Sequence, residues 1–189
     1  MVRRIPADGH QSSADRAGLG LRFAGRPFGE PMANQHRRGV AMAEVVMPQN
    51  MEQLLPILSR SLLQYAVYCW PWTSPEEEFE RTELQKLAER QERDVERIVA
   101  FLDERERAID LGIFDDWSWL HFVSVDFLLK YVVANQEQVV EAVKAARRAE
   151  ADDPDARQVL DDVLREEEAI LAELRRLHER SEKLAAQSG

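Results

Sequence analysis

From Pro48 onward, apolar residues recur every three or four positions, the spacing that gathers them on one face of a helix. In the first such stretch, about Pro48 to Cys69, the stripe is Met51, Leu54, Leu55, Leu58, Leu62, Tyr65, Ala66 and Cys69. Leu63, Val67 and Trp70 widen it, which predicts burial on more than one side. Pro56 lacks an N–H and should kink the first turns or delay the start. A second helix opens at Ser74-Pro75-Glu76-Glu77, a capping box with Pro at the first helical position and two Glu at the positive end of the dipole. It should reach about Arg107, a rod of roughly 50 Å at ~1.5 Å per residue. Its stripe is Leu84, Leu87, Ala88, Gln91, Val95, Ile98 and Leu102, with one polar interruption at Gln91. A third helix, about Trp117 to Glu150, turns Leu120, Val123, Phe127, Leu128, Tyr131, Val132, Val139, Ala142 and Val143 inward. Asp152-Asp153-Pro154 is the next start signal. The fourth helix runs to about Leu184, its stripe of Leu160, Val163, Leu164, Ile170, Leu171, Leu174 and Leu177 interrupted at Glu167.

The linker between the second and third helices, Ala108 to Asp116, carries Ile109, Leu111, Ile113 and Phe114, which should pack along the side of a bundle. Its nine residues span at most ~30–32 Å, and a few unwound flanking residues extend that towards a full crossover. The pattern therefore predicts an all-α four-helix bundle over residues 47–189, with a crossover that makes the second and third helices parallel.

Composition separates this bundle from what precedes it. Residues 1–46 show no period and are rich in Gly, Arg, Pro and Ser, as expected of a disordered leader. Seven Arg against Asp8, Asp15 and Glu30 give residues 1–41 a charge of +4, which leaves −14 for the rest of a chain whose net charge is −10. Two readings of the leader stay open: a basic tail for an acidic partner, or, the favoured one, a segment upstream of a true start at Met42 or Met47. The acidic body argues against nucleic-acid binding, which relies on Lys and Arg neutralising phosphates. No apolar run approaches the ~18–20 residues that cross a bilayer, so no membrane partner is expected. The single cysteine, Cys69, forms no intrachain disulfide and fits a reducing compartment, so the expected location is cytoplasmic.

The second and fourth helices superpose at an offset of 76 residues: Leu84 on Leu160, Leu87 on Val163, Ala88 on Leu164, Gln91 on Glu167, Val95 on Leu171, Ile98 on Leu174 and Phe101 on Leu177. Even the polar interruptions coincide. Two helix pairs, a crossover and polar residues mid-bundle resemble the ferritin-like di-iron carboxylate proteins, over roughly residues 48–186. In that family two helices each contribute Glu-x-x-His and the other two a Glu, residues i and i+3 sharing the face that reaches the metal. Carried onto this chain, the first motif falls on Gln91-Glu92-Arg93-Asp94, the second on Glu167-Glu168-Ala169-Ile170. The other helices offer Leu58-Ser59-Arg60-Ser61 and Val133-Ala134-Asn135-Gln136. Of six expected ligands Glu167 survives and Asp94 is a substitute, and two carboxylates do not enclose two irons. The resemblance thus implies a ferritin-like shell with a degenerate metal site. Gln91, Asn135 and Glu167 are expected to hydrogen-bond one another and fix helix register; a single divalent ion is the sharper alternative.

His121 and His178 lie at helix ends that an antiparallel arrangement would bring together, a further metal candidate set against ordinary half-exposed histidines. Trp70, Trp72, Trp117 and Trp119 flank helix junctions and either cap the core or form a partner patch. No nucleophile–base grouping or phosphate-cradling glycine loop is present. The expected function is accordingly non-catalytic, a structural or partner-binding bundle acting as a homo-oligomer or on another protein, with no resident cofactor. The competing expectation is a metal-dependent oxidoreductase or iron-handling protein with an atypical site.

Overall fold

The computed structural model describes residues 47–69, 78–121 and 123–188. The leader, the capping box at Ser74, the Trp70–Trp72 pair and the side chain of Cys69 lie outside them. The chain divides into 1–40 and 41–189, and everything described belongs to the second unit. Among the described residues all regular structure is helical: α1 (Met51–Ser59), α2 (Leu62–Cys69), α3 (Glu78–Glu104), a 3-10 turn at Ser118–Leu120, α4 (Val125–Ala149) and α5 (Pro154–Ser188). With α1 and α2 stacked end to end, these make the four rods of a helical bundle.

The first rod corrects the expectation of one continuous helix. It starts at Met51, where Asn50 Oδ1 accepts from the Gln53 N–H at 2.9 Å. Pro56 sits inside α1 and delays nothing. The break comes at Arg60–Ser61, where Ser61 Oγ accepts from the Gln64 N–H at 3.3 Å and Ser61 O receives the Tyr65 N–H at 3.1 Å. Ser61-Leu62-Leu63-Gln64 is thus a helix start of the Ser-x-x-Gln kind, hidden in sequence because the apolar stripe runs straight through it. The third rod also begins later than expected. Ser124 caps α4, its Oγ accepting from the Phe127 N–H at 3.3 Å, and residues 118–120 form only the short turn. Phe127, expected inward, is exposed and packs on the outer face against Tyr131. α5 starts where predicted: Asp153 Oδ1 accepts from the N–H groups of Asp155 and Ala156 at 3.0 Å.

α3 ends without a glycine. Glu106 takes φ 52°, the Arg107 N–H reaches Leu102 O at 2.9 Å and the Glu106 N–H reaches Asp103 O at 3.0 Å, the paired closing bonds of a Schellman motif. Arg107 then clamps this end of the bundle. It donates to both carboxylate oxygens of Glu52 (2.6 and 2.5 Å) and to Glu150 Oε1 at 2.7 Å, and Glu150 Oε1 also receives the Met51 N–H at 3.1 Å. Arg107's hydrogen bonds hold the Glu52 carboxyl below its usual range.

Contacts along the connection from α3 to α4 give its path. After Arg107, at the end where α1 and α5 begin, Leu111 O accepts from Ser59 Oγ (2.7 Å) and Gly112 O from Arg60 Nε (3.0 Å). Phe114 and Trp117 then meet Tyr65 edge-on (ring centroids 5.4 and 5.3 Å), and Asp126 in α4 accepts from Ser181 near the end of α5 at 2.8 Å. The connection thus travels the length of α1 and α2, and α3 and α4 run in the same direction. Gly112, at φ +66°, lies so close that a Cβ there would stand 2.8 Å from Pro56 Cβ. The apolar packing expected of this segment holds only in part. Phe114 is half-buried under Arg60, but Ile109, Leu111 and Ile113 face solvent, the last 91% exposed. Backbone carbonyls and Phe114 hold the strap down, leaving Ile109 and Leu111 only partly covered and Ile113 unpacked.

The core falls into two apolar clusters. One gathers Met51, Leu54, Leu55 and Leu58 with Ile98, Leu102, Val139, Val143, Leu160 and Val163; the other gathers Leu62, Leu63, Leu84, Leu87, Leu128, Val132, Ile170 and Leu174. Each fully buried leucine contributes on the order of 1.5–3 kcal/mol. The 76-residue repeat acquires a spatial meaning here: Arg90 pairs with Glu166 and Gln91 with Glu167, each pair 76 residues apart. α3 and α5 are antiparallel, so repeat-related leucines such as Leu84 and Leu160 lie in opposite clusters, and the polar positions meet in the middle.

Candidate functional site: the polar layer between two cores

Between the two apolar clusters every rod contributes buried polar side chains: Ser61 and Gln64 from the first, Gln91 and Asp94 from α3, Asn135 and Gln136 from α4, and Glu167 from α5. Ser61, Gln64, Gln91, Gln136 and Glu167 form one hydrogen-bonded chain. Ser61 Oγ donates to Gln91 Oε1 at 2.5 Å, and Gln64 Nε2 donates to Ala88 O at 2.8 Å and to Gln91 Oε1 at 3.4 Å. Gln91 Nε2 donates to Gln136 Oε1 at 3.2 Å and to Glu167 Oε2 at 2.9 Å. Gln136 Nε2 donates to the same Glu167 Oε2 at 2.5 Å and to Glu167 O at 3.3 Å.

Asn135 works at one side of this chain. Its Oδ1 accepts from the Leu62 N–H at 2.8 Å, an N–H that the break between α1 and α2 leaves without an intrahelical partner. The helix break and the layer are therefore one feature. The expected trio is corrected accordingly: Gln91 and Glu167 meet, Asn135 instead caps α2, and Gln136 takes the place given to it. Gln136 lies beside Asn135 in an amide pair, with no periodic cue to which of the two meets Glu167. Ser61 and Gln64 carried a signal, the Ser-x-x-Gln spacing.

Asp94 and Glu167 are both 0% exposed. Burial pushes each carboxyl up to about 7. Arg97, the hydrogen-bond partner of Asp94 Oδ1, opposes this at Asp94, and the amides of Gln136 and Gln91 oppose it at Glu167. The charge of Asp94 adds to the upward push on Glu167, as expected of an acidic residue one turn beyond Gln91 on the same face of α3. One oxygen of each, Asp94 Oδ2 and Glu167 Oε1, is buried without a hydrogen-bond partner.

The metal pair that the resemblance implies does not fit this set of donors. The amide oxygens of Gln91, Gln136 and Asn135 already accept hydrogen bonds, and two bare carboxylate oxygens are too few for two divalent ions, each wanting four to six ligands. No grouping of three His, Cys, Asp or Glu side chains suited to a metal ion occurs among the described residues. Of the two candidate histidines, Tyr65 Oη bonds His121 Nε2 at 2.5 Å, while His178 Nε2 faces Glu182 at 3.7 Å. Of the two described tryptophans, Trp117 packs beside the core and Trp119 is 38% exposed against Tyr131. No described helix is long and apolar enough to cross a membrane. Compared with known proteins, the chain matches no family model, no curated protein and no solved structure.

Proposed function

We propose that this chain is a ferritin-like helical bundle in which a hydrogen-bonded amide layer has replaced the metal pair, and that it acts without catalysis through its surface, on a second copy or a protein partner. The carrying observation is the layer itself. Ser61, Gln64, Gln91, Gln136 and Glu167 bond one another across all four rods, which serves to hold helix register rather than to bind a substrate. The same-direction run of α3 and α4 and the i, i+3 spacing of Gln91 and Asp94 support the kinship. Support for a surface role comes from the strap, where Ile109, Leu111 and Ile113 stand exposed on the side that carries Tyr68, itself 69% exposed and packed edge-on against Phe114.

Elemental analysis of the chain purified from iron-replete cells tests the first half. Sub-stoichiometric iron and manganese are expected; a stoichiometric metal lost in Glu167→Ala would favour the oxidoreductase or iron-handling reading. Light scattering after size-exclusion chromatography tests the second. An oligomer weakened by Ile113→Glu is expected, and a monomer at all concentrations with no partner affected by that substitution would remove the surface role.

A further inference from the structure

Asp94 and Glu167 present a problem of charge that the rest of the layer does not solve. Both are wholly buried, and each leaves one carboxylate oxygen bare in an interior where an unpaired acceptor is costly. The donors of Gln91, Gln136, Gln64 and Ser61 are spent. Gln91 Nε2 and Gln136 Nε2 both go to Glu167 Oε2, Gln64 Nε2 goes to Ala88 O and Gln91, and Ser61 Oγ goes to Gln91. What the two bare oxygens lack is a hydrogen, and a single one, carried by either carboxyl, turns an acceptor into a donor and removes one buried charge.

We infer that the Asp94–Glu167 pair takes up one proton when the chain folds at neutral pH, so that the mid-bundle layer is complete only in its protonated form. This rests on the reading above that the layer stands in place of a metal pair. The charged groups around it favour one charge and one proton. On α3, Arg97 bonds Asp94 Oδ1 and Arg93 adds a weaker attraction, so one negative charge is held. On α5, Glu166 repels both carboxylates, although Arg90 occupies it at 2.6 Å. α4 brings Asn135 and Gln136 to the layer, and the first rod brings Ser61 and Gln64, none of them charged. A second negative charge would have no cation of its own, whereas a proton from solvent needs none.

The sign follows from where the proton is bound. Burial raises both carboxyls above their unfolded values of 3.8 and 4.5, so the folded chain holds a proton that the unfolded chain has released. Stability is full below about 4.5 and is lost as pH rises to about 7. Denaturant unfolding of the full chain, followed by circular dichroism from pH 5 to 9 in EDTA, should show the unfolding constant rising up to about tenfold per pH unit between 5 and 7, then flattening. Glu167→Gln keeps the shape, lets its oxygen accept from Gln91 and Gln136, and takes away one of the two carboxyls that hold the proton. It should remove that part of the slope, whatever the histidines contribute to both proteins.

Infrared spectroscopy of the unmodified chain provides a readout that needs no variant: a protonated carboxyl band at pH 6 that disappears at pH 9. A slope equal in Glu167→Gln and the unmodified chain, or no such band, overturns the inference while leaving a metal-free bundle intact. A divalent cation that binds stoichiometrically, abolishing both band and slope, overturns this inference and the proposed function together.

Discussion

Asn135 offers the sharpest test of how the first rod is built. Substituting Asn135→Leu leaves a side chain of similar length but takes away the oxygen 2.8 Å from the Leu62 N–H. Leu62 is 1% exposed, and Leu in place of Asn keeps water out, so that N–H is stranded in the interior. A buried donor without a partner costs roughly 1–3 kcal/mol. For a domain of this size, each kcal/mol moves the melting midpoint by about 2–4 °C, so a loss of about 2 kcal/mol lowers it by roughly 4–8 °C. Urea unfolding measured by circular dichroism gives the free energy, and hydrogen exchange gives the location. The Leu62 amide should exchange faster by more than the global loss accounts for, because α2 frays from its start. Unchanged stability, to within about 0.5 kcal/mol, with the Leu62 amide still protected would show that the layer does not hold the helix break and would refute the reasoning.

Three further outcomes follow from single features. Glu106→Gly should stabilise by about 0.5–1 kcal/mol, since φ 52° strains a residue with a Cβ but not glycine; chemical denaturation reads it directly. Gly112→Ala combines a positive φ with a Cβ placed 2.8 Å from Pro56 Cβ, so it should destabilise by roughly 1–3 kcal/mol and make residues 105–117 an early site of limited proteolysis. Arg107→Ala removes the clamp on half-buried Glu52 and Glu150 and should cost about 1 kcal/mol at pH 7. Because Arg107 lowers the Glu52 carboxyl in the folded chain, that difference is present above the unfolded value of 4.5 and shrinks as pH falls through the lowered one; thermal melts at pH 7 and pH 3 compare the two.

Residues whose role depends on near neighbours were readable from the chain. The stripes of α3 and α5, the Asp153 cap and the inward positions of Gln91 and Glu167 all follow from spacing within one or two turns. Phe127 shows the limit of that method. Its position matched a stripe drawn from Trp117, but with α4 starting only after Ser124 it lies outside, its ring tilted against Tyr131. The strap shows another limit. Hydrophobic character predicted burial for Ile113, whereas the connection is anchored through the carbonyls of Leu111 and Gly112, which any sequence has.

Helix period, caps and charge distribution are local properties, since a helical residue responds mainly to others three or four places away, and these alone were enough to specify four rods and a polar position in the middle of two. Which amide bonds which acid is another matter. The layer joins residues 24 to 76 places apart, and each bond depends on how far two packed helices are rotated and shifted. One residue turns a helix by about 100° and advances it by ~1.5 Å, so the choice between Asn135 and Gln136 as Glu167's partner rests on a displacement smaller than periodicity can register, and it was made only when the four rods packed.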